Sequence, residues 1–133
     1  MKKIHLRKSG KEKIVFVSGK FNIVHPGHLR LLNFAKNCGD KLVVGLLADE
    51  SDGVVVGFDD RKTAVESLEA VNEVVVTTSE GLVDLLESLK PDVVVKGREY
   101  ARQFNIEKET VKSYGGRLLF SGGDVTFSSR DLI

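Results

Sequence analysis

Apolar residues along this chain fall into two alternating rhythms. Short runs rich in β-branched residues stand at 14–17, 42–47, 74–77, 93–95 and 118–120. Most are continuous rather than alternating, the pattern of parallel strands covered on both faces. Between them lie segments with helical spacing. Residues 28–38 gather Leu31, Leu32, Phe34 and Ala35 toward one face, with Gly39 as the expected stop, and residues 61–71 gather Ala64, Val65, Leu68 and Val71. Residues 79–90 open on Ser79 as the expected N-cap and end before Pro91. Residues 105–114 close at Gly115-Gly116, and residues 128–133 read as the first turn of a further helix. The acidic, glycine-containing stretch 49–60 reads as a flexible loop. Strand and helix in alternation predict a Rossmann-like α/β domain, with a doubly wound five-stranded parallel sheet and helices on both faces. Such sheets bind ligands beyond the carboxyl ends of their strands, where strand order reverses. The loops after the first strand, after Lys96 and after Ser121 are expected to converge there.

Composition narrows this picture. A chain of 133 residues with 41% hydrophobic content suits one domain whose core needs no disulfide or metal staple. We divide it into a basic arm at 1–12, carrying Lys2, Lys3, Arg7, Lys8 and Lys11, and a domain at 13–133 that is open to continuation in a longer chain. The arm reads first as a solvated terminus and second as a contact for a partner or a phosphate. Lys and Arg total 20 against 19 Asp and Glu, a balance that argues against a dedicated nucleic-acid binder. Cys38 stands alone, so an intrachain disulfide is excluded and a reducing, cytoplasmic setting is expected. No apolar run approaches the roughly 20 residues needed to span a bilayer, so no membrane partner is expected.

The chemistry concentrates in Gly19-Lys20-Phe21-Asn22-Ile23-Val24-His25-Pro26-Gly27-His28. Two imidazoles flank Pro26-Gly27 where a buried strand hands over to a helix. A helix start carries backbone N–H groups and partial positive charge, and histidines there donate hydrogen bonds to charge developing on a phosphate. The stretch reads as a site for a nucleoside triphosphate. Two blander readings stand beside it: a metal-binding His25/His28 pair, for which a third ligand is hard to find because His5 lies in the arm, or two histidines serving turn and capping hydrogen bonds. Ser128-Ser129 alone reads as an ordinary N-cap. Lys96-Gly97-Arg98 reads either as a solvated turn or as a substrate-phosphate contact, Arg61 as a surface residue or a phosphate contact, and Gly123 as part of a tight turn or of a loop that a base approaches.

The same residues carry a family resemblance. Residues 19–28 resemble the G-x-F-D-x-x-H-x-G-H signature of the cytidylyltransferase-like nucleotidyltransferases, and Ser128-Ser129-Arg130 with Ile133 is similar to their second signature, S-T-T-x-x-I. Leu89-Lys90-Pro91-Asp92-Val93-Val94-Val95-Lys96-Gly97-Arg98-Glu99-Tyr100 resembles the L-K-P-D-x-x-V-K-G-x-D-Y run of the heptose-1-phosphate adenylyltransferases. The pattern Arg61…Leu68…Ala70-Val71-Asn72-Glu73-Val74-Val75 is similar to that group's R-x(6)-L-x-x-V-D-x-V-V. Three departures stand out. Asn22 replaces the usual Asp, Arg130 replaces the second Thr, and the 49–60 loop lacks the family's phosphate-contacting lysine, a place that Lys20 is a candidate to take.

The resemblance implies transfer of a nucleotidyl group to a sugar phosphate: AMP from ATP onto a heptose-1-phosphate-like acceptor, with pyrophosphate leaving. A CTP-dependent polyol-phosphate enzyme of the glycerol-3-phosphate kind is the nearest alternative. A weakly active or inactive nucleotide-binding domain of a fusion protein is another. The resemblance casts His25 and His28 as catalytic, and Gly19, Lys20, Phe21, Asn22, Gly27, Gly123, Ser128, Ser129 and Arg130 as nucleotide-binding. Arg61, Lys96, Arg98 and Tyr100 would bind the acceptor. Mg²⁺ accompanying the triphosphate is expected from the charge to be neutralised, with no residue singled out as a metal ligand, and the resemblance implies a homodimer.

Overall fold

In a computed structural model of the chain, residues 12–21, 26–48, 57–97, 105–122 and 125–128 are described, the backbone alone at 122 and 125–128. The basic arm, save Glu12, therefore lies outside the described residues. The elements run β1 (Ile14–Gly19), α1 (Pro26–Lys36), β2 (Lys41–Leu47), α2 (Phe58–Glu66), β3 (Glu73–Thr77), α3 (Leu82–Leu89), β4 (Val93–Gly97), α4 (Ile106–Ser113), β5 (Arg117–Gly122) and β6 (Val125–Ser128). The described residues form one six-stranded sheet in the order β3-β2-β1-β4-β5-β6. The first five strands are parallel, as the continuous apolar runs predict.

Each apolar run splits by parity between two cores. Val15, Val17, Leu42, Val44, Val93 and Val95 face the side covered by α1 and α2, where Leu32, Ala35 and Val65 meet them. Ile14, Phe16, Val43, Val94, Leu118 and Phe120 face the side covered by α3 and α4, through Leu82, Leu86 and Val111. Helices thus cover both faces, and the strand order reverses between β1 and β4. Among the described residues no helix is long and apolar enough to cross a membrane.

The amino edge of the sheet is closed by one device used three times. Asp40 accepts the Lys13 N–H at 2.8 Å and donates its own N–H to the Lys13 carbonyl at 2.8 Å. Asn72 does the same to Leu42 at 2.8 and 2.9 Å, and Asp92 to Ile14 at 2.9 and 2.9 Å. Two of the motif residues that suggested a family thereby have a structural task. Asn72 satisfies the N–H of Leu42, the second residue of β2, and Asp92 that of Ile14, the first residue of β1.

Four expectations need correction. Gly39 is not the helix stop, because α1 ends at Lys36. A side chain at Gly39 would instead stand 2.7 Å from Val15 Cγ2 and 2.9 Å from the Lys13 carbonyl, so close approach to β1 is what requires glycine. Ser79 is not the N-cap of α3. Residues 79–81 form a turn in which Thr78 Oγ1 accepts the Gly81 N–H at 3.0 Å, and Gly81 caps the helix. The α2 helix begins at Phe58 rather than at Arg61, so Arg61 sits a turn inside it. Ser128 does not open a helix. It ends β6, which pairs antiparallel to β5 with Ser128 opposite Leu119.

Candidate active site

The carboxyl ends of β1 and β4 flank the reversal point. Gly19 closes β1, and Lys20 and Phe21 follow it directly. After residues 22–25, which include Asn22 and His25 and lie outside the described residues, Pro26 starts α1. Its fixed φ suits the first helical position and costs no intrahelical donor. Gly27 and His28 therefore occupy the first turn of α1.

Phe21 is the unusual residue of this turn. Its φ is +50°, in the left-handed region that a bulky side chain rarely adopts, at a cost of about 1–2 kcal/mol. The ring is nonetheless 5% exposed, packed into the α1/α2 core. It also meets the His28 imidazole with ring centroids 5.1 Å apart and planes tilted by 58°. Gly19 makes room for it: a Cβ there would lie 2.9 Å from Phe21 Cε2. Burial of the ring sets the backbone conformation, and that conformation sets the ring against the histidine.

Arg61 reaches the same turn from α2. It is 1% exposed, so the surface reading is corrected, and the physical reason is the earlier start of α2, which turns position 61 toward the sheet. Its Nη1 donates to the Lys20 carbonyl at 2.9 Å and to the Leu47 carbonyl at 3.0 Å, while the guanidinium carbon lies 5.5 Å from the Phe58 ring centroid. The described bonds thus join Arg61 to the protein's own backbone at the ends of β1 and β2.

Across the reversal point, Lys96 stands two residues beyond Val94, the last β4 residue paired to β1. Its ammonium donates to both carboxylate oxygens of Glu107, at 3.2 and 3.1 Å. Glu107, in the first turn of α4, is 4% exposed. Nothing in the sequence marks it, since an acidic residue in a first helical turn ordinarily only complements the helix dipole. Arg98 and Tyr100, Gly123, and Ser129 and Arg130 lie outside the described residues. The β6 strand carrying Ser128 is three strand spacings from β1, roughly 14 Å in the plane of the sheet.

The structure therefore brings Gly19, Lys20, Phe21, His28 and Arg61 together, and pairs Lys96 of the neighbouring strand β4 with Glu107 of α4. Arg61 and Lys96 are held by the protein's own groups, while the start of α1 with His28 is a donor set suited to phosphate oxygens rather than to Mg²⁺. Among the described residues no group of three or more His, Cys, Asp or Glu is placed to hold a metal ion. Cys38 lies apart from this set. Its thiol donates to the Phe34 carbonyl at 3.3 Å, and burial pushes its pKa up against an opposing effect of Arg117, which makes it a poor nucleophile.

A doubly wound sheet with a glycine, a buried aromatic ring and a helix-start histidine at its reversal point defines an α/β nucleotide-binding domain of the H-x-G-H kind. The chain belongs to the cytidylyltransferase-like family, whose model matches residues 16–122. That match contains the first signature and ends before Ser128. The chain is 40% identical over 114 residues to Bifunctional protein HldE of Alcanivorax borkumensis, covering 80% of this chain and 24% of the relative. It is 37% identical over 122 residues to the protein of the same name from Geobacter metallireducens, covering 86% and 25%. The chain thus spans about a quarter of the length of these relatives. Among solved structures, the lipopolysaccharide core biosynthesis protein from Thermoplasma volcanium superposes with a TM-score of 0.67 at 22% identity, covering 79% of this chain and 90% of that one. The pantoate-beta-alanine ligase from Francisella tularensis, complexed with beta-gamma ATP and beta-alanine, superposes with a TM-score of 0.63 at 18% identity, covering 91% and 65%. Both share the fold.

Proposed function

We propose that this chain transfers AMP from ATP to a sugar phosphate of the heptose-1-phosphate kind. A phosphate oxygen of the acceptor attacks the α-phosphorus, the bond from that phosphorus to the bridging oxygen breaks, and pyrophosphate leaves. The observation that carries the reading is His28 in the first turn of α1, its imidazole set against Phe21 at the reversal point. There it would hydrogen-bond the α-phosphate and the bridging oxygen, where charge grows in the transition state. His25 would contact the departing phosphates, and Gly27 would let them approach the backbone. Mg²⁺ would arrive on the triphosphate itself. Catalysis of this transfer is positioning plus charge stabilisation, so no covalent intermediate is required.

Lys20 is proposed to supply the cation that the 49–60 loop lacks. Lys96, with Arg98 and Tyr100, is proposed to hold the acceptor. Ser129 and Arg130 are proposed for the β- and γ-phosphates on the strength of the signature they resemble, whereas Ser128, opposite Leu119 in β6, is proposed no longer. The family match itself favours a second reading, in which CTP replaces ATP and a polyol phosphate is the acceptor. A homodimer working in the cytoplasm belongs to the same proposal, resting on the resemblance and on the single cysteine. Pyrophosphate release from purified protein with Mg²⁺, ATP or CTP, and a panel of sugar and polyol phosphates tests the reading. Turnover with ATP and a sugar 1-phosphate is expected. Turnover with CTP alone would establish the second reading, and no release with any pair would overturn both.

A further inference from the structure

The described hydrogen bonds of the buried Arg61 guanidinium run to the protein's own backbone. Its Nη1 donates to the carbonyl of Lys20 and to that of Leu47, so one side chain on α2 ties the turn after β1 to the end of β2. The Lys20 carbonyl belongs to the peptide that leads into Phe21. Fixing that plane constrains the φ of +50° at Phe21, and the Phe21 ring in turn sits on His28. The guanidinium also lies over the Phe58 ring. We infer that Arg61 is a positioning residue for the reaction, acting through the Lys20–Phe21 peptide on the orientation of the His28 imidazole. A strained turn persists only where its surroundings over-determine it, and a buried cation on two strand-end carbonyls supplies that constraint. The inference deepens the nucleotidyl-transfer reading, and its kinetic arm rests on that reading.

The test compares Arg61→Met and Arg61→Lys with the unaltered chain. Kinetic constants are measured with whichever nucleotide and acceptor turn over, and nuclear magnetic resonance spectra are recorded without nucleotide. In Arg61→Met, kcat should fall about a hundredfold, as expected when a catalytic group is misplaced by an ångström, with the acceptor KM changed by less than about twofold. The Phe21 amide and His28 imidazole signals should move, while amides of the amino edge, such as Ile14 and Leu42, should not. Arg61→Lys keeps a donor but loses the planar face on Phe58, and should recover part of kcat. A raised acceptor KM at unchanged kcat would overturn the inference and make Arg61 a substrate contact. Unmoved His28 signals in a folded variant would overturn it as well, and so would loss of the fold in both variants. If the unaltered chain turns over no pair, the proposed function fails, and the spectra alone still decide the role of Arg61.

Discussion

At the amino edge of the sheet, Asp40, Asn72 and Asp92 each exchange two hydrogen bonds with a residue at or just before the start of a neighbouring strand. At the carboxyl edge, the turn after β1 holds a left-handed Phe21, a glycine that no other residue replaces without a clash, and a buried arginine drawn from a distant helix. The first edge satisfies strand ends with short polar side chains 27, 30 and 78 positions from the residues they bond, and has a left-handed residue of its own in Lys90, the cap of α3. The second accepts backbone strain and a desolvated charge to hold one ring against one imidazole. A concavity of about 390 Å³ lies at the amino edge, lined by Lys13, Cys38, Asp92, Gly115, Arg117 and Leu119 among others, and shares no residue with the signature. The proposed chemistry at the carboxyl edge rests on the helix start and His28 there, not on cavity size. The two edges should therefore fail differently: one in stability, the other in rate.

His28→Ala should break the comparison most sharply. Loss of one such donor costs about 3 kcal/mol of transition-state stabilisation, roughly a hundredfold in kcat. Because His28 is only partly buried, thermal unfolding should shift by no more than a degree or two, and calorimetry beside a pyrophosphate assay checks both. A large stability loss would mean that the carboxyl edge is structural too.

Lys96→Met should show both kinds of failure. The acceptor KM should rise about tenfold, as for loss of one charged contact. Stability should fall by about 3 kcal/mol, because Glu107 keeps a buried carboxylate without this partner. Pairing the change with Glu107→Leu should restore most of the stability and none of the acceptor affinity, as urea titration and steady-state kinetics would show. Recovery of both would remove Lys96 from the acceptor site.

Asp92→Ala belongs to the other edge. It leaves the Ile14 N–H without its 2.9 Å acceptor and should cost about 2 kcal/mol in urea unfolding, with kcat per folded molecule unchanged. A tenfold drop in kcat would show that the edges are coupled.

Tyr114 gives the smallest effect and a pH signature. Its hydroxyl is buried with no hydrogen-bond partner among the described residues. Burial first, and the Asp92 carboxylate second, push its phenol up from 10.0 to about 12. The unfolded chain releases this proton near pH 10, whereas the folded chain holds it until about pH 12. Ionisation therefore favours the unfolded state between those values. The stability present below pH 10 is lost as pH rises toward 12. Tyr114→Phe should flatten that decline and change stability at pH 7 by under about 1 kcal/mol, as chemical denaturation at both pH values would reveal.

Much of this was legible in the chain. The five apolar runs lie within the five parallel strands, because a strand covered on both faces must be apolar at every position. Gly115-Gly116 closes α4 as expected, and Pro26-Gly27-His28 stands in the first turn of α1, where local steric rules put it. The strand β6 is not legible locally, because Ser128-Ser129 reads as a cap and only pairing with β5 makes residues 125–128 a strand.

The sequence by itself determined the alternation of strands and helices, the faces they bury and the histidine-bearing turn, since each depends on neighbours a few residues apart. Only the tertiary structure decided which charges are buried and what they hold. Arg61 meets Lys20 across 41 positions and Glu107 meets Lys96 across 11, and no periodicity encodes either pairing. Those contacts follow from how α2 and α4 dock on the sheet. Docking is set by the fit of whole helix faces, and a polar side chain takes whatever partner that fit brings within reach.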